Sequence, residues 1–188
     1  GRIYIMNLDH CNSHSSFKDK VSMSNLCQEI TLPTTPIQDI HDDQGEIALC
    51  ILSAVNVGGL NDLGELESIC DLAVRALEQI IDYQDYPVKA AEVSTKRRRS
   101  LGVGYIGLAH YLAKHGVKYS DPKAWDLVDR LSEAFQYHLL RASCNIAIEK
   151  GKCEGFDRTK YADGLLPIDH YKKSVDKIVP HKQRMAWE

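Results

Sequence analysis

Between Glu46 and Val57 the chain is almost continuously apolar: Ile47, Ala48, Leu49, Cys50, Ile51, Leu52, Ala54 and Val55 are broken only by Ser53 and Asn56. A strand with one wet face alternates apolar and polar residues. A strand that does not alternate is buried on both faces, as in a barrel or a covered sheet. Such a strand needs covering helices, and the sequence supplies them. Asp62-Leu63-Gly64-Glu65 has capping-box spacing. Leu66, Ile69, Ala73, Leu77 and Ile80 then recur at three and four, which predicts an amphipathic helix to about Tyr83, with Cys70 near its apolar face and Pro87 ending the unit. Asp121-Pro122 pairs an N-cap with a proline at the first helical position. From there Ala124, Val128, Leu131, Phe135, Leu139, Ala142 and Ile146 form a stripe that ends at Gly151. Arg2 to Leu8 reads as a further strand, with Ile3 and Ile5 on one face and Tyr4 on the other; helix is expected at Thr159 to Ala162 and Ile168 to Lys177. Strands interspersed with helices make an α/β pattern.

Composition adds mostly exclusions. A chain of 188 residues can form one domain, and 44% hydrophobic with 26% charged residues is ordinary for a soluble protein. A net charge of −3 gives no broad basic field and no argument for nucleic acid. The short run Lys96-Arg97-Arg98-Arg99 reads as a solvated face. No apolar run approaches the ~20 residues that cross a membrane, and the N-terminus has no signal-peptide pattern. The chain reads as an excerpt from a longer polypeptide. Its six cysteines (11, 27, 50, 70, 144 and 153) are not a secreted disulfide framework. Reduced thiols in the cytoplasm are expected, with any disulfide transient and catalytic.

The densest chemistry lies in Ser24-Asn25-Leu26-Cys27-Gln28-Glu29. In extended backbone, residues two apart share a face, so an amide, a thiol and a carboxylate are expected side by side. The thiol can be nucleophile, metal ligand or redox centre. The carboxylate can take a proton, and the amide can orient a polar substrate. Pro33 and Pro36 stop any long ladder, so a loop or short strand with Cys27 at its tip fits. Free cysteines also simply fill space, which is the plain reading of Cys27, and of Cys50 inside its apolar run. Cys70, Cys144 and Cys153 read as structural. His10, Cys11 and His14 invite a metal, but a zinc site needs four ligands and no second pair stands nearby, so a polar loop is expected. Gly102-Val103-Gly104-Tyr105-Ile106-Gly107 matches the dinucleotide fingerprint in letters, yet Lys-Arg-Arg-Arg-Ser precedes it where an apolar strand should stand.

The stretches Ser24 to Ile30, Gly45 to Cys50 and Leu52-Ser53-Ala54 resemble the large, catalytic subunit of the class I ribonucleotide reductases. So do Gly1-Arg2-Ile3-Tyr4-Ile5, Asp82 to Pro87, Arg98 to Gly102, Leu166-Pro167-Ile168-Asp169 and Tyr171-Lys172-Lys173. The resemblance runs end to end in one order and covers a central slice of a much longer subunit. It implies part of a ten-stranded α/β barrel, incomplete in residues 1–188, with the Cys27 loop running to its centre. It makes the glycine segment a barrel strand whose glycines allow close packing, turning into a helix from Leu108 to Lys114 closed by Gly116. It implies reduction of ribonucleoside diphosphates, with Cys27 the thiyl-radical site, Glu29 the base for the 3′ hydroxyl, and Asn25 a ligand of the substrate hydroxyls. Ser24 to Glu29 together would be the substrate-contacting loop. Cys50 would be one half of a redox pair whose other cysteine lies outside this chain, with Cys27 and Cys50 facing each other unbonded. The resemblance places no cofactor in this segment. The radical would come from a separate metal-containing small subunit, and nucleotide effectors would bind elsewhere. A thioredoxin or glutaredoxin would act through a C-terminal tail, and the full subunit would form a homodimer. Two alternatives stay open: the cobalamin-dependent class, which shares the barrel and the Asn-x-Cys-x-Glu logic, and a non-catalytic assembly fragment.

Overall fold

The structure, a computed structural model, describes residues 3–169. The expectations for Gly1-Arg2, for Tyr171 to Lys173 and for most of the helix from Ile168 to Lys177 lie outside those residues. In chain order the regular elements are α1 (Leu8–His14), β1 (Ile51–Asn56), α2 (Leu66–Tyr83), α3 (Lys89–Arg98), β2 (Leu101–Ile106), α4 (Leu108–Lys114) and α5 (Pro122–Lys150), with short 3-10 turns between them. They fall into two compact units, one of the described residues 3–50, 85–100 and 153–169, the other of 51–84 and 101–152. No described helix is long and apolar enough to cross a membrane.

The second unit is built on β1 and β2, which pair in parallel from Ile51↔Leu101 to Asn56↔Ile106. Parallel neighbours need a long crossover, and α2 lies in it. The core gathers Val55, Val57, Leu66, Cys70, Leu112, Leu131 and Phe135. Cys70 is fully buried, and burial pushes its thiol up to about 11, as suits a space-filling cysteine. Tyr105 meets Phe135 edge to face at 5.5 Å, and its hydroxyl lies 3.2 Å from that of Ser132. Arg75 of α2 donates to Asp71 at 2.8 Å and to Glu149 of α5 at 2.6 and 2.7 Å.

The long helices follow the sequence closely. Asp121 caps α5 by accepting from Lys123 N at 3.0 Å, and Gly151 (φ 90°) ends it. At α2 only half the capping box forms. Asp62 accepts from Gly64 N at 2.7 Å, but Glu65 turns to the side chain of Asn61. The glycine segment is a strand leading into α4, and Gly116 (φ 67°) follows the helix. Gly107 (φ 80°) packs against Asn56 and the backbone of Gly58, where a Cβ would collide. Gly104 differs from the expectation of close packing: no atom would touch a Cβ there.

The apolar run is not one strand. Ladder pairing covers only Ile51 to Asn56, and Glu46 instead forms an isolated bridge with Thr35. Nor is β1 buried on both faces. Leu52 is 61% exposed and Ile106 of β2 is 58% exposed. The helices cover one side of this two-stranded sheet, so the alternate residues of the other side stay open. The sheet is therefore partial, an open piece of an α/β architecture.

In the first unit, the strand expected over Arg2 to Leu8 does not form in its described residues, Ile3 to Leu8. Alternation makes a strand only where a neighbour accepts its hydrogen bonds, and Ile3 and Ile5 stand 87% exposed. Asp9 to His14, expected as a polar loop, lies in α1 instead. The Asn12 side chain ties that helix to Val21, donating to its carbonyl at 2.9 Å and accepting from its N–H at 2.8 Å.

Candidate active site

Of the loop or short strand expected with Cys27 at its tip, Ser24 to Ile30 forms the loop, a tight turn in which alternate residues do not share a strand face. Its organiser is the Asn25 side chain. Asn25 Oδ1 accepts from Ile30 N at 3.0 Å, while Nδ2 donates to the Glu29 carboxylate. Ser24 Oγ donates to the Ile30 carbonyl at 2.6 Å, and Gln28 N donates to the Asn25 carbonyl at 3.1 Å. Asparagine offers the backbone local partners that compete with a ladder, which is why this stretch closes on itself. Gln28 takes a left-handed φ of 61°, uncommon for a residue with a Cβ. The amide and carboxylate thus meet by turn geometry. Leu26, 81% exposed, and Cys27, also exposed, stand on the crest.

Cys50 is half-buried in the segment just before β1, and like Cys27 it is a free thiol. Burial pushes its pKa up, and the negative charge of Glu29 raises it further. The turn and Cys50 are therefore within electrostatic reach of each other. Glu29→Gln in the full-length protein should lower the Cys50 pKa by removing that charge. Iodoacetamide should then alkylate Cys50 faster at pH 8, as read by mass spectrometry of the Cys50 peptide. An unchanged or slower rate would separate Glu29 from Cys50.

Sequence reasoning missed the group that holds these segments. The run at Lys96 to Arg99 is not a solvated face throughout: it closes α3 with Lys96 exposed, but Arg98 is only 8% exposed. Its guanidinium grips Glu46 with two donors, Nε to Oε1 at 3.2 Å and Nη2 to Oε2 at 2.7 Å. The remaining Nη1 donates to Asp19 Oδ2 at 2.8 Å. Glu46, 3% exposed, also receives the Thr35 hydroxyl and Arg97 Nη1, each at 3.2 Å. Asp19 also binds Arg158, and the Arg98 guanidinium lies 5.5 Å from the Phe17 ring centroid. Burial pushes Glu46 and Asp19 up, but the arginine hydrogen bonds and charges outweigh it and hold both carboxyls below their usual range. One signal in the sequence pointed here. Glu46 opens an apolar run, where a lone carboxylate would be costly, so a cation had to be near.

The residues expected to act together, Asn25, Cys27, Glu29 and Cys50, all lie in this first unit. An amide–carboxylate pair beside an exposed thiol can bind hydroxyls and accept a proton. A second thiol nearby, kept protonated, can serve in redox exchange.

A sequence model described as the barrel domain of ribonucleotide reductase matches residues 1–188. The chain is 55% identical to a ribonucleoside-diphosphate reductase subunit alpha of Buchnera aphidicola, over 100% of this chain and 25% of that protein. It is 53% identical to the ribonucleoside-diphosphate reductase 1 subunit alpha of Escherichia coli, with the same coverage. The corresponding subunit of Enterobacteria phage T4 is 39% identical over 99% of this chain and 24% of its own length. The chain thus spans about a quarter of the length of these relatives.

Proposed function

Because this chain belongs to the ribonucleotide reductase barrel-domain family, we propose that it is the segment of a class I ribonucleoside-diphosphate reductase large subunit that carries the radical cysteine and half of the redox pair. Residues 1–188 act as part of one catalytic barrel domain in the cytoplasm. The radical arrives from a metal-containing small subunit. A thioredoxin or glutaredoxin restores the thiols through a C-terminal tail, the full subunit works as a homodimer, and nucleotide effectors act outside this segment.

The Cys27 thiyl takes the 3′ hydrogen atom of the ribose: the C3′–H bond breaks and an S–H bond forms. Glu29 accepts the 3′ hydroxyl proton while the 2′ C–O bond breaks, and the 2′ hydroxyl takes one of the protons of the redox thiols and leaves as water. Asn25 orients the hydroxyls, within the loop Ser24, Asn25, Leu26, Cys27, Gln28 and Glu29. Cys50 and a second thiol from elsewhere in the longer protein give two electrons and two protons and become a disulfide. Cys27 then returns its hydrogen to C3′, and the thiyl re-forms. The net change is one ribonucleotide and two thiols to one deoxyribonucleotide, water and a disulfide.

One observation carries this reading: a single turn sets the Asn25 amide on the Glu29 carboxylate beside exposed Cys27. The full-length protein, given its small subunit and a dithiol reductant, should convert a ribonucleoside diphosphate to its 2′-deoxy form. The 188-residue segment alone should give no product. Silence of the full-length protein would overturn the activity; turnover by the segment alone would overturn the assignment of the second thiol to another region.

A further inference from the structure

We propose that Arg98 is a positioning residue, whose guanidinium sets the placement of Cys50 relative to the Asn25–Glu29 turn. The inference rests on the reading above and adds to it a residue that touches neither substrate nor reacting atoms.

The geometry is that of a clamp with two arms. The turn hangs between Asp19, five positions before Ser24, and Thr35, five positions after Ile30. Cys50 follows Glu46 by four positions. Asp19 and Glu46 both end on Arg98, and Thr35 joins Glu46 through its hydroxyl and through a backbone bridge of 3.0 and 3.2 Å. Slack between anchor and site is taken up elsewhere. Val21 is fully buried and bound to Asn12, and Ile47 N donates to the Ala90 carbonyl at the other end of α3 at 3.2 Å. Every route from the turn to Cys50 along the chain thus passes a residue fastened to α3 or to Glu46.

The chemistry of the clamp supports positioning over bulk stability. Burying an ion pair costs desolvation that its attraction barely repays, so apolar residues would stabilise this unit as well. A planar fork bound at two oxygens does what apolar contacts do not: it fixes distance and orientation together. Lysine keeps the charge but offers only a rotatable point donor.

The test uses the full-length subunit with its small subunit. Arg98→Lys should lower kcat by about 10- to 100-fold, the scale of a misplacement near 1 Å, with KM for the diphosphate changed less than about 3-fold. Val74→Ala and Leu131→Ala, core truncations in the other unit, should bracket its fall in Tm yet keep kcat within about 2-fold. Should Arg98→Lys fail to fold, Asp19→Asn removes one arm, leaves the Glu46 grip intact, and should lower kcat by about 3- to 10-fold. Normal kcat in the folded variant tested, or an equal loss in the core truncations, overturns the proposal. Cys27→Ser, run alongside, separates the two failures. An active Cys27→Ser sinks the reading of the site itself, whereas an inactive Cys27→Ser with a fully active Arg98→Lys sinks only the clamp.

Discussion

Cys27→Ser in the full-length subunit should abolish ribonucleotide reduction, leaving less than a tenth of the parent rate and in practice none. The two side chains are close in size, and Cys27 stands exposed on the crest of the turn, with no packing role to lose. The fold around it depends on Asn25, Ser24 and Gln28, all untouched by the change. What disappears is sulfur, whose weak, polarizable bond to hydrogen lets it both give up and reclaim a hydrogen atom. An O–H bond holds its hydrogen too strongly to pass the radical on. Unchanged thermal unfolding together with absent deoxynucleotide product is the expected pair of results. A rate above one tenth would rule out Cys27 as the radical site.

The second large effect falls on Glu29. Glu29→Gln preserves shape and still offers an oxygen to the Asn25 amide, so the turn should persist. The base is gone, and loss of a positioned base costs ~10²- to 10⁴-fold in rate. The same substitution should make Cys50 easier to ionise, and the alkylation rate of Cys50, read alongside, separates that effect on the redox pair from loss of the base. A near-normal kcat would move the base to another residue.

How far the sequence could be read depended on how local each cause was. Asp121-Pro122 and Gly151 delimit α5 because caps act within a few residues, and the α2 stripe reached Tyr83 for the same reason. The grouping of Asn25, Cys27 and Glu29 was legible as composition, but not the geometry that joins them. Alternation suggests a strand, while the asparagine side chain satisfies the backbone locally and bends it into a turn. Arg2 to Leu8 misled for a related reason: its pattern states a preference for a sheet, and pairing depends on a neighbour that the pattern does not contain. Arg98 was hidden furthest. Among three other basic residues it looks solvated, and only its distant partners Asp19 and Glu46 reveal burial. The split of the apolar run at Cys50 was illegible as well, since Glu46 leaves the ladder for a long-range ion pair.

The stitching of the first unit has a consequence for the order in which the molecule can form. Phe17 bridges to Thr159, Lys18 N donates to the Arg158 carbonyl at 2.9 Å, and Lys160 N donates to the Ser16 carbonyl at 2.7 Å. These contacts join the first residues of the chain to ones that a ribosome adds far later. Closing so long a loop is slow, because its entropy must be lost before any contact rewards it. At roughly 5–20 residues per second, the Asp19 anchor waits for about 7 to 28 seconds of synthesis before Arg158 is added. During that interval α2 can already coil, since its backbone hydrogen bonds are local. A nascent chain should therefore carry Cys50, half-buried in the finished fold, as an unprotected thiol, which makes the cell's reducing capacity a condition of assembly.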